Sequence, residues 1–311
     1  MTGERAEGAS AEFLAAPVKS ALIVRNPKKT EFAEIESSVR HYLKTHKIAI
    51  ARNAADADFL ITLGGDGTIF YAHAKYRDAN LPIFGIGTVK SYICQATNEN
   101  WAQKLSEMLK GAELEKRYLL SYTLGSFKGT DALCDIVLVR SIHNKHLQNP
   151  YRIIPFQITV DGEPVQMRAD GLIFSTATGS TAYNSSVGGP ALPMDSTNYV
   201  MAGIAPYRVP ERFRILSGKC TCRVEAWPEI NLALVVDGMV AKDPAYDCTK
   251  SRNPPPLEIF QSKDAAKFLK SESPSHVRGL EGKDQFFAYH FNKRPRIAPV
   301  CETKKRCPDA R

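Results

Sequence analysis

No apolar run in this chain approaches the roughly 18 residues that a membrane-spanning helix needs. Residues 1–16 mix acids and bases around no apolar core, so no secretory signal is expected there. Internal repeats and low-complexity tracts are absent. The seven cysteines (Cys94, Cys134, Cys220, Cys222, Cys248, Cys301 and Cys307) are odd in number and show no framework spacing. A reducing cytoplasm is the expected compartment. Cys220 and Cys222 stand on one face of a β-like stretch, but no second Cys or His pair completes a zinc site, and no metal-ligating set is expected. The net charge is +8, part of it in residues 293–311, yet no aromatic-basic motif accompanies it. These absences argue against membrane and nucleic-acid partners. The mildly basic body suits small polyanionic ligands.

What is present is an ordinary globular composition, 43% hydrophobic and 24% charged over 311 residues, enough for one large or two ordinary domains. Residues 20–24 read as a strand closed by Asn26-Pro27. Phe32, Ile35, Val39, Tyr42 and Leu43 then recur at helical spacing over 31–46. Another strand precedes Gly64, a helix runs from Ile69 to about Arg77, and 81–87 is again a short buried strand. Asn100 is the expected N-cap of a helix carrying Trp101, Leu105, Met108 and Leu109 on one face. Alternating strands and helices imply a parallel sheet. Beyond Gly111 the pattern becomes β, with short strands punctuated by turns such as Asp161-Gly162 and Asp237-Gly238. The expected fold is therefore a Rossmann-like α/β domain over 18–112 and an all-β, sandwich-like domain over 113–275. A disordered lead-in over 1–17, a segment packing back over 276–293 and a disordered basic tail over 294–311 complete the expectation.

The chain is organised around the apolar run 59–63 and the turn Gly64-Gly65-Asp66-Gly67-Thr68 that ends it. Glycines admit a ligand without a Cβ in the way. The N–H groups of such a turn and of the following helix form an anion site. A carboxylate inside a phosphate-friendly turn needs a reason. Proton abstraction from a hydroxyl, or holding Mg²⁺, would supply one, and capping the helix is the plainer alternative.

A second stretch, residues 170–190, runs from a strand into Thr178-Gly179-Ser180-Thr181-Ala182-Tyr183 and then a helical start. Small hydroxyl residues with exposed backbone N–H groups suit ribose hydroxyls and phosphates. Together the two stretches resemble the NAD kinase family, which carries both motifs about 110 residues apart, as residues 64–68 and 178–183 do here. Asp170-Gly171 precedes the second motif and Gly188-Gly189-Pro190 closes it, and the resemblance spans roughly 20–290. It implies phosphorylation of the 2′-hydroxyl of the adenosine ribose of NAD to give NADP. The donor would be ATP or polyphosphate, with Mg²⁺ or another divalent cation. It also implies a homodimer or homotetramer. Asp66 would be the catalytic carboxylate, and Gly64, Gly65, Gly67 and Thr68 the phosphate-side turn. Asp170 would hold the nicotinamide riboside, and Thr181, Ala182 and Tyr183 the adenine and ribose. Thr178, Gly179, Ser180 and Ser186 fall in the same binding segment.

Three departures from the family stand out. An Asn-Glu pair expected early in the β region is missing from 135–147, and Asn98-Glu99 lies too early to replace it. His143 and Asn144 are the candidates to compensate. The glycine-rich segment after Gly85 is here Gly-Ile-Gly-Thr-Val-Lys-Ser-Tyr-Ile-Cys, with Lys90 keeping a positive charge, and Ala177 stands where proline is common. These changes leave two alternatives: a kinase with altered acceptor preference, or a catalytically weak dinucleotide-binding protein. A hydride-transferring oxidoreductase is disfavoured, because no Gly-x-Gly-x-x-Gly follows the first strand. His73 is expected to be packed or at the surface. Arg208, Arg212 and Arg214 are expected in a solvated loop, and Asp237-Gly238 as a hairpin turn.

Overall fold

The structure is a computed structural model that describes residues 12–14, 17–88, 91–140, 153–225, 232–241 and 255–270. The expected segment 276–293 and tail 294–311 lie outside those residues. The N-terminal half follows β1 (Ser20–Arg25), α1 (Phe32–Thr45), β2 (Ala49–Ile50), β3 (Phe59–Leu63), α2 (Asp66–Tyr76), β4 (Ile83–Gly87), β5 (Ala96–Thr97) and α3 (Trp101–Leu109). The β half follows β6 (Leu114–Leu124), β7 (Phe127–Lys128), β8 (Asp135–Arg140), β9 (Ile154–Val160), β10 (Glu163–Ala169) and β11 (Gly171–Ser175). The short α4 (Tyr183–Ser186) leads to β12 (Tyr199–Ile204), β13 (Phe213–Leu216), β14 (Cys222–Glu225), β15 (Leu232–Val236), β16 (Met239–Val240) and β17 (Leu257–Leu269).

β2, β1, β3, β4 and β5 pair in parallel, as the strand–helix alternation implies. All five residues of β3 are buried, because helices cover both faces. One face packs Phe59, Ile61, Phe84 and Ile86 against Val39 and Leu43 of α1 and Leu105 and Met108 of α3. The other packs Leu60 and Ile83 against Ile69 and Ala72 of α2. Each such fully buried side chain contributes about 1.5–3 kcal/mol.

The two halves share a sheet. β17 pairs antiparallel with β6 and β14, and its Phe268 aligns in parallel with Ile83 of β4. Through β17 the antiparallel strands β6, β14, β9 and β10 continue the parallel sheet. A separate antiparallel sheet, ordered β13-β12-β11-β8-β15-β16, packs on this antiparallel part. Between them lies the sandwich core, with Leu138, Leu172, Phe174, Met201 and Leu234 facing Tyr122, Phe156, Met167, Val224 and Ile259. The turns Asp161-Gly162 and Asp237-Gly238 have φ of +49° and +89°, and +50° and +76°, as two-residue hairpin turns require.

Two differences from expectation have clear causes. Helix α2 starts at Asp66 rather than near Ile69, because Gly65 takes the extended N-cap conformation and turns the chain inside the motif. Glu12, Phe13 and Leu14, expected in a disordered lead-in, are pinned. Phe13 bridges Glu113, Leu14 is buried, and the Glu12 carboxylate pairs with Lys116 and Lys267.

Candidate active site

The turn after β3 is built for close approach. A Cβ on Gly64 would meet Thr68 Oγ1 at 2.1 Å, so the residue must be glycine for the turn to fold onto the first helical turn. Gly67 has nothing within 4 Å of its would-be Cβ and faces outward. Asp66 opens α2, where a negative side chain suits the helix N-terminus.

The segment after β4 grips that carboxylate. The Tyr92 N–H donates to Asp66 Oδ1 at 3.1 Å and to Oδ2 at 3.0 Å, the Ile93 N–H to Oδ1 at 3.2 Å, and the Cys94 thiol to Oδ1 at 3.8 Å. Gly87 makes room, since a Cβ there would strike Ser91 Oγ at 2.4 Å and Cys94 Sγ at 2.7 Å. Burial raises the Asp66 pKa, against the lowering by these hydrogen bonds and by the Arg117 charge. Burial, and then the Asp66 charge, hold the Cys94 thiol far above its ordinary range, so it stays a neutral donor.

The second motif forms the adjoining wall. Gly171–Thr181 is buried throughout. Thr176 Oγ1 donates to the carbonyl of Leu133 at 2.7 Å, and the Thr176 N–H to that of Cys134 at 3.0 Å. Gly179 lies so close to the Cys134 carbonyl that a Cβ would come within 2.1 Å of it. Ser180 Oγ donates to Ala177 O at 2.7 Å and accepts from the Leu192 N–H at 2.9 Å, so its hydroxyl is used inside the turn rather than offered to a ligand. Thr178 Oγ1 and Thr68 Oγ1, one from each motif, are buried without a hydrogen-bond partner among the described residues. Thr181 is buried, while Ala182, Tyr183 and Ser186 are exposed. Asp170 is exposed at the point where the chain leaves β10 in one sheet for β11 in the other.

Two further carboxylates, Asp135 and Asp237, the second read from the sequence only as part of a hairpin turn, sit beneath this wall. Asp237 accepts the N–H groups of Leu133 at 2.9 Å, Cys134 at 2.7 Å and Asp135 at 3.2 Å. Burial pushes its pKa up to about 6. Burial likewise raises Asp135, whose carboxylate accepts from the Cys134 thiol at 3.5 Å. The walls meet here: Leu133 packs in one cluster with Ile69 of α2 and Ile93, and the Cys134 thiol feels the charges of Asp135, Asp237 and Asp66. Asp-Gly after a strand signals a hairpin turn, which it is; nothing local signals that its carboxylate reaches back to β8. His143, Asn144 and Lys90 lie outside the described residues. His73 lies buried on α2, two turns beyond Asp66, rather than at the site. Among the described residues no three His, Cys, Asp or Glu side chains converge to hold a metal ion, and no helix is long and apolar enough to cross a membrane.

A glycine turn opening a helix at the carboxyl end of a parallel strand, with a half-buried carboxylate in it, is the layout of an α/β protein with a turn suited to anions. Residues 4–113 match the family model described as ATP-NAD kinase N-terminal domain, and residues 144–253 the one described as ATP-NAD kinase C-terminal domain. The NAD kinase of Methanothermobacter thermautotrophicus is 34% identical over 193 residues, which are 60% of this chain and 65% of that protein. The NAD kinase of Blochmanniella floridana is 31% identical over 209 residues, 65% of this chain and 70% of that one. The chain belongs to the NAD kinase family. The crystal structure of an NAD kinase from Archaeoglobus fulgidus in complex with ATP shares the fold, with a TM-score of 0.67 at 24% identity over 86% of this chain and 98% of that one. The match thus spans a little under two thirds of the Methanothermobacter relative's length.

Proposed function

We propose that this protein transfers the terminal phosphate of ATP to the 2′-hydroxyl of the adenosine ribose of NAD, giving NADP and ADP. The observation that carries the reading is Asp66, a half-buried carboxylate with a raised pKa held at a phosphate-type turn, whose charge reaches Cys134, the residue against whose carbonyl Gly179 packs. Phosphoryl transfer asks for in-line positioning and charge neutralisation more than covalent help. The 2′-oxygen bonds to the γ-phosphorus as the bridging oxygen departs with ADP, and the hydroxyl proton passes to Asp66. Among the described residues Oδ1 already accepts from Tyr92, Ile93 and Cys94, whereas Oδ2 accepts from Tyr92 alone. Oδ2 is therefore the proton acceptor. The raised pKa makes it a stronger base than an exposed aspartate.

Gly64, Gly65, Gly67 and Thr68 take the phosphates, Asp170 the nicotinamide riboside, and Thr181, Ala182, Tyr183 and Ser186 the adenosine. The hydroxyls of Thr68 and Thr178 are buried without a hydrogen-bond partner among the described residues, Thr68 Oγ1 lying against Gly64. Gly179 and Ser180 act by shaping the turn. A divalent cation such as Mg²⁺ fits this site as an ion carried by the ATP phosphates rather than by a protein cage, the commoner mode for that ion. The same reading takes the enzyme to be cytoplasmic and a homodimer or homotetramer, acting on small molecules without nucleic-acid or membrane partners. Asp66→Asn should lower NADP formation by at least about 100-fold while leaving NAD affinity, measured by calorimetry, nearly unchanged. Near-normal turnover would remove Asp66 from the chemistry.

A further inference from the structure

Ile69, Ala72, His73 and Tyr76 recur at i, i+3, i+4 and i+7 and form the inward row of α2. Ile69 and Ala72 pack with Leu60, Ile83, Ala266 and Phe268 in one apolar cluster. β17 meets β4 at the single aligned pair Phe268 and Ile83, where the antiparallel ladder joins the parallel sheet. Beside that pair, Ala72 and Ala266 are too small to close the space between α2 and the sheet. A cavity of ≈ 20 Å³ remains, lined by these two alanines and by His73, Arg77 and Asn80.

His73 is 9% exposed, and its Nδ1 is buried without a hydrogen-bond partner among the described residues. A ring nitrogen so placed is costly until something pairs with it. Arg77 brings positive charge to the same cavity. Its ion-pair partner among the described residues is the fully exposed Asp78, 4.0 Å from its Nε, a contact that neutralises little. No Asp or Glu lines the cavity. The other charges nearby are engaged elsewhere. Lys267 lines the cavity, but its ammonium pairs with Glu12. The Lys75 ammonium lies over the rings of Tyr71 and Tyr76, at 5.7 and 5.1 Å. Asp131, whose charge reaches His73, accepts the hydroxyls of Ser121 at 2.5 Å and Ser262 at 2.6 Å.

We propose that this cavity is a site for one monatomic anion of halide size, held by a ring N–H of His73, the guanidinium of Arg77 and the side-chain amide of Asn80. A single water needs about 10–15 Å³. The cavity therefore suits one particle somewhat larger than water and excludes phosphate and nucleotides. Water would pair with Nδ1 but would leave the guanidinium without a counter-charge. A halide supplies that charge and tolerates the aliphatic walls of Leu60, Leu81 and Ile83. A neutral imidazole has one N–H to give it. The site lies two helical turns beyond Asp66 and does not depend on the role given to that residue.

The test is the melting temperature of the full chain at neutral pH in sodium chloride or sodium bromide, against sodium gluconate at equal ionic strength. Gluconate is too large to enter. Both halides should raise the melting temperature saturably, by on the order of 2–4 °C at about ten times the half-saturating concentration. Arg77→Gln changes a side chain that is 30% exposed, so the fold should survive, and the halide increment should vanish. His73→Phe removes the N–H and should abolish the increment as well. In a crystal soaked in sodium bromide, an anomalous bromide peak should stand in contact with His73 and Arg77. Equal melting temperatures in halide and gluconate would overturn the proposal and leave the cavity to a water molecule. So would a halide increment that Arg77→Gln leaves unchanged, or a bromide-soaked crystal with no peak in the cavity. If His73→Phe does not fold, Arg77→Gln and the bromide position decide.

Discussion

The main-chain N–H of Tyr92 donates to both oxygens of Asp66, at 3.1 and 3.0 Å, from 26 residues away. Backbone donors so placed fix the carboxylate's orientation without dependence on any one side chain. Tyr92→Ala should therefore leave the acid limb of the kcat–pH profile where it is and reduce kcat by less than about tenfold. A limb displaced by a full unit would mean that the Tyr92 side chain, not its peptide, tunes the base.

Glycines in the two motifs serve different ends. Gly179→Ala drives a Cβ to 2.1 Å from the Cys134 carbonyl, a backbone group unable to move aside. It should destabilise the protein by about 1–3 kcal/mol or more in urea titrations. Gly67→Ala meets open space on a helical residue and should raise stability by up to about 1 kcal/mol. The same variant should weaken KM for ATP, because its new methyl stands on the face assigned to the phosphates. Unchanged KM would move the phosphates elsewhere.

Asp237 makes stability depend on pH in an unusual direction. Its folded pKa of about 6 lies above the ordinary carboxylate value, so the folded state binds the extra proton. Its contribution is complete below about pH 4 and is lost as pH rises through about 6, a change of at most about 3 kcal/mol. Asp237→Asn should remove this slope. It should also cost about 1–3 kcal/mol at all pH values, since an amide NH₂ cannot accept one of the three N–H donors. Urea midpoints from pH 4 to 7 would reveal both effects.

His73 tilts the balance the other way. Burial first, then the Arg77 charge, bring its pKa down to about 4. Its contribution is present above about pH 6.5 and is lost as pH falls through about 4. His73→Phe should therefore gain stability relative to the parent as the solution is acidified from 6.5 to 4. If both titrations operate, the parent's profile is flatter in this window than that of either variant. A constant difference between parent and variant would show that His73 does not titrate on unfolding.

Local sequence determined much of this protein. The apolar run of β3 ending in Gly64-Gly65 dictates a buried strand and a sharp turn, and the spacing of Phe32, Val39 and Leu43 dictates one apolar face of α1. Such features follow from side-chain periodicity and backbone freedom over a few residues. Tertiary structure alone decided what surrounds Asp66 and Asp237. The first is held by Tyr92 and Ile93, and the second reaches Leu133 across 104 residues. Nor does the β-rich pattern after Gly111 say that β17 returns to lie beside β4, or that Arg117 is buried on the ladder it forms with β6. Strand pairing and buried charge depend on which distant segments come together to exclude water, and neither propensity nor periodicity carries that information.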